Sequence, residues 1–308
     1  MEYKYRRYFL YYLAKTTAFL IYLLPRALSL PLGSYIGRAA YWSLPRYRRL
    51  TLENLTVALG KDKTPAELRA IAEGVFRNLG RNAVELLNFP KIRRHAIGRL
   101  VTIEGLDKLN AALALGKGVV LVTGHFGNWE LLALTIRLKG YRGAVIGRRI
   151  YFEKYDTFLN CLRRVHDVDV IYRDDSPKKI LRVLKDNGII GILADQDVDS
   201  VGGVFVTFFG TRAYTPSAPV LLARASGAAL IPGFIIRQNG RHRLVITDPV
   251  ELVDTGDKEN DLVTNTQRWS DVVESYIRRY PEQWVWMHRR WKTRPPGEKK
   301  DRILQKVS

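Results

Sequence analysis

The sequence predicts an α/β protein: a mixed, mostly parallel sheet flanked by helices, with an N-terminal membrane-associated helical segment. Three observations predict it. Short β-branched runs alternate with helical stretches from about residue 101 onward. One of these runs, Val119 to Val122, is apolar without alternation, the pattern of a strand covered on both faces. Three polar side chains, His125, Arg148 and Asp195, fall at or just past the ends of three separate runs. Open α/β sheets gather their sites at the carboxyl ends of strands, so this coincidence points to an enzyme.

The chain has 308 residues, enough for one large domain with an appendage. It carries 50 Lys and Arg against 30 Asp and Glu, a net charge of +20. An excess of that size calls for an anionic partner: nucleic acid, an acidic membrane surface or a phosphorylated ligand. The single cysteine, Cys161, excludes an intrachain disulfide and a cysteine-rich metal site. Its setting, Phe158 to Leu162, reads as helix, with the thiol packed and inert.

Residues 1–45 read as a membrane-anchoring segment. Tyr8 to Leu24 is apolar but has Lys15 near its middle and falls short of the ~20 residues a span needs. A second apolar stretch, Ala27 to Leu44, is interrupted by Pro31, Gly33 and Gly37. Tyrosines crowd both, and basic residues flank both sides: Lys4, Arg6 and Arg7 before, Arg26, Arg38, Arg46, Arg48 and Arg49 after. An anchor lying in the cytoplasmic leaflet fits this best; a single tilted span and a buried helix pair are the alternatives.

The body follows over residues 46–292. Arg46 to Gly60 is a basic helix. Thr64, Pro65 and Glu67 form a capping signal for a helix to about Leu87. Val101–Glu104 is a strand and Leu106–Leu115 a helix. Val119–Val122 then runs into Thr123-Gly124, and a helix starts after Asn128, a good N-cap, with Glu130 in its first turn. Ala144–Gly147 is a strand leading to Arg148 and Arg149, Glu153–Val165 a helix and Val168–Tyr172 a strand. Ser176–Asn187 is a helix, and Ile189–Ala194 a strand ending at Asp195-Gln196-Asp197. Ala213–Ser226 reads as a helix entered near Thr215-Pro216. Ala228–Ile236 and Arg241–Pro249 are strands, and Asn260–Tyr280 is a helix. Small residues between Ala213 and Ala228 either leave room for a ligand or serve close packing. Residues 293–308 form a charged tail that should be mobile.

His125 and Glu130 are the pair expected to carry chemistry. On one helix they would stand roughly 140° apart, so they meet only if His125 precedes the helix in the glycine-bounded turn. A carboxylate on one ring nitrogen fixes the tautomer and leaves the other to take a proton from a hydroxyl. Asp195, Asp197 and Asp199 begin like a calcium loop, but Ser200 and Val206 stand where that loop needs Gly and Glu. Asp-x-Asp also keeps a metal-dependent glycosyltransferase in play. There is no Gly-x-Ser-x-Gly elbow, no Walker pattern and no Gly-x-Gly-x-x-Gly.

Gly124-His125-Phe126-Gly127-Asn128-Trp129-Glu130 resembles the His-x4-acid signature of the lysophospholipid acyltransferase superfamily, most closely the bacterial lipid A late acyltransferases, the lauroyl/myristoyl transferases. Four further blocks follow in order. These are Arg148/Arg149 after a strand; Asp195-Gln196-Asp197 with Val204-Phe-Val-Thr-Phe-Phe-Gly210; Ile231-Pro232; and Pro281-Glu-Gln-Trp-Val-Trp-Met-His-Arg-Arg290. Thr207 departs from the family's usual Pro. The resemblance covers roughly residues 50–292. It implies a glycerolipid acyltransferase-like fold on the cytoplasmic face of a bacterial inner membrane. His125 and Glu130 are then catalytic. Gly127, Asn128, Arg148, Arg149, Asp195, Gln196 and Asp197 bind substrate or the oxyanion, with no metal and no cofactor. The implied donor is an acyl carrier protein or coenzyme A thioester and the acceptor a glycolipid, with an anionic membrane and not nucleic acid as the partner. A non-catalytic basic membrane-binding protein is the remaining alternative.

Overall fold

The computed structural model describes residues 2–295 and 297. The expected tail therefore lies mostly outside the described residues, as do the side chains of Lys4 and Arg6.

Four helices open the chain: α1 (Glu2–Leu23), α2 (Arg26–Ser43), α3 (Pro45–Leu59) and α4 (Pro65–Leu87). The α4 start is the predicted capping box, with the Thr64 hydroxyl and the Glu67 carboxylate each accepting the other residue's N–H. Residues Pro31, Gly33 and Gly37 do not interrupt α2, which runs through all three. Its glycines instead make a helix crossing. A Cβ on Gly33 would stand 2.7 Å from the Gly80 carbonyl oxygen, and one on Gly37 would overlap the Phe76 carbonyl. The α2 and α4 backbones touch there, which only glycine permits.

The body continues as α5 (Ile97–Leu100), β1 (Val101–Glu104), α6 (Leu106–Ala114), β2 (Val119–Thr123), α7 (Trp129–Leu138), β3 (Gly143–Gly147), α8 (Glu153–Arg164), β4 (Asp169–Tyr172), α9 (Pro177–Lys185) and β5 (Ile189–Leu193). Then come β6 (Gly203–Phe208), β7 (Thr211–Pro216), α10 (Ala218–Ser226), β8 (Ala229–Gln238), β9 (Arg241–Ile246) and α11 (Lys258–Arg279). The main sheet has seven strands in the order β1-β9-β8-β2-β5-β3-β4. Every pairing is parallel except the β8–β9 hairpin. This is the mixed, mostly parallel sheet the sequence predicts.

Strand β2 lies at the centre, between β8 and β5, and all its residues are buried. Alternation splits its side chains between two cores. Val120 and Val122 join Phe76, Phe234, Trp269 and Trp284 on one face. Val119 and Leu121 join Leu109, Leu131 and Leu134 on the other.

One element departs from expectation. Residues 213–226 are not a single helix. The segment to Pro216 is β7, paired antiparallel with β6 as a separate hairpin, and helix begins only at Ala218. Proline drives its predecessor extended, so Thr215 favours strand, and Pro219 suits the first turn of α10. Ala213, Ala223 and Ala228 are buried in the core, so the small residues here serve close packing.

Among the described residues no helix is long and apolar enough to cross a membrane. The spanning form of the N-terminal anchor is therefore unsupported. Helices α1 and α2 instead carry exposed apolar side chains, among them Phe9, Leu13, Phe19, Leu20, Leu28, Tyr35 and Trp42. Both also pack on the body: Tyr11 sits edge-on to Phe152 and Tyr155, and α2 lies on α4.

Candidate active site

The chain leaves β2 at Thr123 and turns through Gly124 to Asn128 before α7 begins. His125 stands in this turn. Its Nδ1 lies 2.7 Å from Asp195 Oδ1, and its backbone N–H donates to Asp195 Oδ2 at 2.7 Å. The His125 side chain is 24% exposed and that of Asp195 is fully covered. The ring therefore donates Nδ1–H to a buried carboxylate, which leaves Nε2 as the basic nitrogen. Burial by itself lifts an acid. At Asp195 the charge and hydrogen bonds of His125 outweigh that effect and hold the carboxyl well below the usual carboxylate range.

This geometry corrects the expected pair. The carboxylate on His125 belongs to Asp195, not Glu130. Glu130 faces Arg163 of α8 in a bidentate contact, at 2.8 Å to Nε and 2.5 Å to Nη2, with both side chains largely covered. Burial works against the Arg163 charge, but the bond and charge of Glu130 more than offset it and raise the guanidinium pKa. The strand order explains the exchange of partners. Parallel pairing of β2 with β5 sets Thr123 opposite Leu193, so both chains leave the sheet side by side.

The turn is fixed by three sets of contacts. The first is local: Gly127 has φ +57°, and a Cβ there would overlap the Ile235 carbonyl, so no other residue fits. The second is the C-terminal segment. Phe126 bridges Trp284, Gly127 N–H donates to the Gln283 carbonyl at 2.8 Å, and Val285 N–H donates to the His125 carbonyl at 3.1 Å. The Trp284 indole N–H donates to Asp195 Oδ2 at 2.7 Å. The third is a buried polar hub. Glu85 of α4 accepts both Nη groups of Arg237 and one N–H of Asn128, and it also meets His242. Arg237 binds Asn82, which donates to the Gly127 carbonyl at 2.5 Å. Burial opposes the Glu85 charge, but His242 and Arg237 together hold its carboxyl well below the ordinary range.

The remaining predicted residues divide. Gly127 and Asn128 are at the site but serve the turn: the Gly127 N–H is committed to Gln283, and the Asn128 side chain caps α7 at Leu131 and meets Glu85. Gln196 and Asp197 lie beside Asp195 and line a cleft. Asp197 accepts from the Thr293 N–H and hydroxyl, and Asp199 pairs with Lys292, so the three acids of the run turn to three different partners. Arg148 and Arg149 leave β3, two strands along from β2, and both are exposed. Arg149 stacks on the Tyr172 ring at 3.9 Å and pairs with Asp175, so the structure does not bring it to His125.

Arg163, Arg237 and His242 were not singled out by the sequence, and Trp284 stood out only as part of a block. Their signal is tertiary: each acts through a contact distant in the chain.

Fold and site together define an α/β enzyme with a carboxylate-steered imidazole at the carboxyl end of its central strand. The chain belongs to the bacterial lipid A biosynthesis acyltransferases: that family's model matches residues 1–293. It is 28% identical over 303 residues to the lipid A biosynthesis palmitoleoyltransferase of Escherichia coli (strain K12), covering 96% of this chain and 95% of the relative. Identity to the lipid A biosynthesis lauroyltransferase of the same organism is 29% over 300 residues, 94% of each chain. A phosphatidylinositol mannoside acyltransferase of Mycobacterium tuberculosis (strain ATCC 25618 / H37Rv) is 26% identical over 223 residues, 70% of this chain and 68% of that one. The protein is thus an acyltransferase.

Proposed function

We propose that the protein transfers a fatty acyl chain from a thioester, on acyl carrier protein or coenzyme A, to a hydroxyl of a lipid A precursor or related glycolipid. The observation that carries this reading is the His125 Nδ1–Asp195 contact at 2.7 Å, in a ring that still reaches solvent. Nε2 takes the hydroxyl proton, and the oxygen attacks the thioester carbonyl. The C–S bond breaks, and the imidazolium returns its proton to the thiolate. The first N–H groups of α7, at Trp129 and Glu130, have no intrahelical partner and follow His125 by four and five residues, which suits them to the developing oxyanion. Glu130 acts through Arg163, holding α8 and its charge against the site.

An apolar groove of about 670 Å³ runs between α1, the end of α4 and α8, lined by Leu10, Leu13, Ala83, Phe158, Leu159 and Leu162. Its α8 wall belongs to the helix that carries Arg163, and its apolar lining suits the acyl chain. The exposed apolar faces of α1 and α2, with the net charge of +20, support an interfacial seat on the anionic cytoplasmic face of the bacterial inner membrane. The test is mass spectrometry of membrane lipids from cells with and without the gene. One acyl group fewer on a glycolipid is expected in its absence, restored by the wild-type gene and not by His125→Ala. Unchanged glycolipids would overturn the reading.

A further inference from the structure

Between α3 and the C-terminal segment lies a cleft of about 460 Å³ that the mechanism above leaves unused. Its two walls are fixed to each other. Asn54 of α3, fully buried, donates to the Trp286 carbonyl at 2.6 Å and to the His288 carbonyl at 2.7 Å. Arg46, Arg49, Arg289 and Lys292 line it, against Glu53 and Asp197. With Asp199, which pairs with Lys292, four cations meet three carboxylates, an excess of one positive charge. Lys292 is occupied by Asp199 at 2.7 Å, and Arg49 has a loose contact with Glu53 at 3.9 Å. The guanidinium groups of Arg46 and Arg289 have no hydrogen-bond or ion-pair partner among the described residues. Planar guanidinium pairs of this kind match phosphate oxygens.

The position of the cleft narrows the ligand. Tyr47 lines it and is 47% exposed, and the exposed apolar run of Trp42 and Leu44 leads up to it. The cleft therefore opens where the apolar face ends, the depth at which aromatic residues meet lipid headgroups. Asp197 lines it two residues from Asp195, so its Cα lies within about 7 Å of the Cα of the residue that steers His125.

We propose that this cleft binds a phosphomonoester on the headgroup of the acceptor lipid, holding the acceptor hydroxyl within reach of His125. The inference rests on the acyltransferase reading for the identity of the bound lipid. A phosphomonoester presents three terminal oxygens to these two unpartnered guanidinium groups, whereas a diester presents two.

The test uses the full-length protein and phosphatidylcholine vesicles that carry either phosphatidic acid, a monoester, or phosphatidylglycerol, a diester, at equal surface charge. Wild type is expected to bind the phosphatidic acid vesicles at least about tenfold more tightly. Arg46→Ala/Arg289→Ala is expected to bind both alike, at the phosphatidylglycerol level, and Arg46→Lys/Arg289→Lys to keep part of the preference. No preference in wild type, or an undiminished one in the alanine variant, overturns the proposal. Calorimetry with inorganic phosphate separates the two sources of the group: binding as tight as to phosphatidic acid makes this a free-phosphate site and overturns the lipid assignment. In turnover, the alanine variant should raise KM for the acceptor with kcat and the donor KM held. A rise confined to the donor assigns the cleft to the carrier and also overturns it. If His125→Ala retains transfer, the mechanism falls while the vesicle preference stands, so the two failures are distinguishable.

Discussion

His125 has one ring nitrogen held and one open, and the holding group decides what the open one does. Asp195→Asn keeps the shape but can donate to Nδ1, which favours the wrong tautomer. It should lower kcat about a thousandfold or more, with KM little changed, in a single-turnover transfer assay. His125→Ala should remove transfer altogether. Glu130→Gln leaves His125 and Asp195 joined but loosens Arg163, so its loss should be smaller than that of Asp195→Asn; a larger loss would restore Glu130 to the imidazole. Transfer should survive chelation by EDTA, whereas a metal-dependent glycosyltransferase would stop. His125 itself was legible in the sequence, because a histidine between two glycines at a strand end has few structural uses. Its partner was not. Asp195 lies 70 residues downstream, and only the order of strands in the sheet brings it alongside.

Among elements, the turn from β2 to α7 is the most constrained. Gly127→Ala should destabilise the protein by about 3 kcal/mol or more, read as a lowered urea midpoint. Glu85→Ala strips the buried Arg237 of its carboxylate and should cost about 3–5 kcal/mol. Glu85→Gln keeps one contact to Asn128 and should fold better, yet turn over slowly if the hub sets the turn. In the groove proposed for the acyl chain, Ala83→Trp would shorten the available length, and the enzyme should shift to shorter acyl donors in a competition assay read by mass spectrometry. Most strands and helices were legible because their periodicity is local. The 213–226 segment was not: its apolar, alanine-rich composition looks helical, while the Thr215-Pro216 step and pairing with β6 make its first half a strand. The glycines of α2 misled for the same reason, since their function lies in α4.

The whole molecule should be sensitive to acid. Burial holds the His288 imidazole down to about 4, against an ordinary 6.5, despite the Asp195 charge beside it. The unfolded chain takes up that proton first, so the stability it confers is complete above about pH 6.5 and is lost as pH falls through about 4. That difference is worth about 3 kcal/mol. Asp195 and Glu85, both depressed, lose their contributions at still lower pH. The melting temperature should therefore fall steadily from pH 7 to pH 4, and a flat profile there would contradict the burial of His288.

Pairing of Phe126 with Trp284 has a consequence for synthesis. The strand that bears the base emerges from the ribosome early, but the segment that braces it is among the last to appear. A nascent chain halted before Gln283 has an imidazole and its carboxylate without the backing that aligns them. Catalysis then begins only once translation is nearly done, and prematurely stopped chains stay silent.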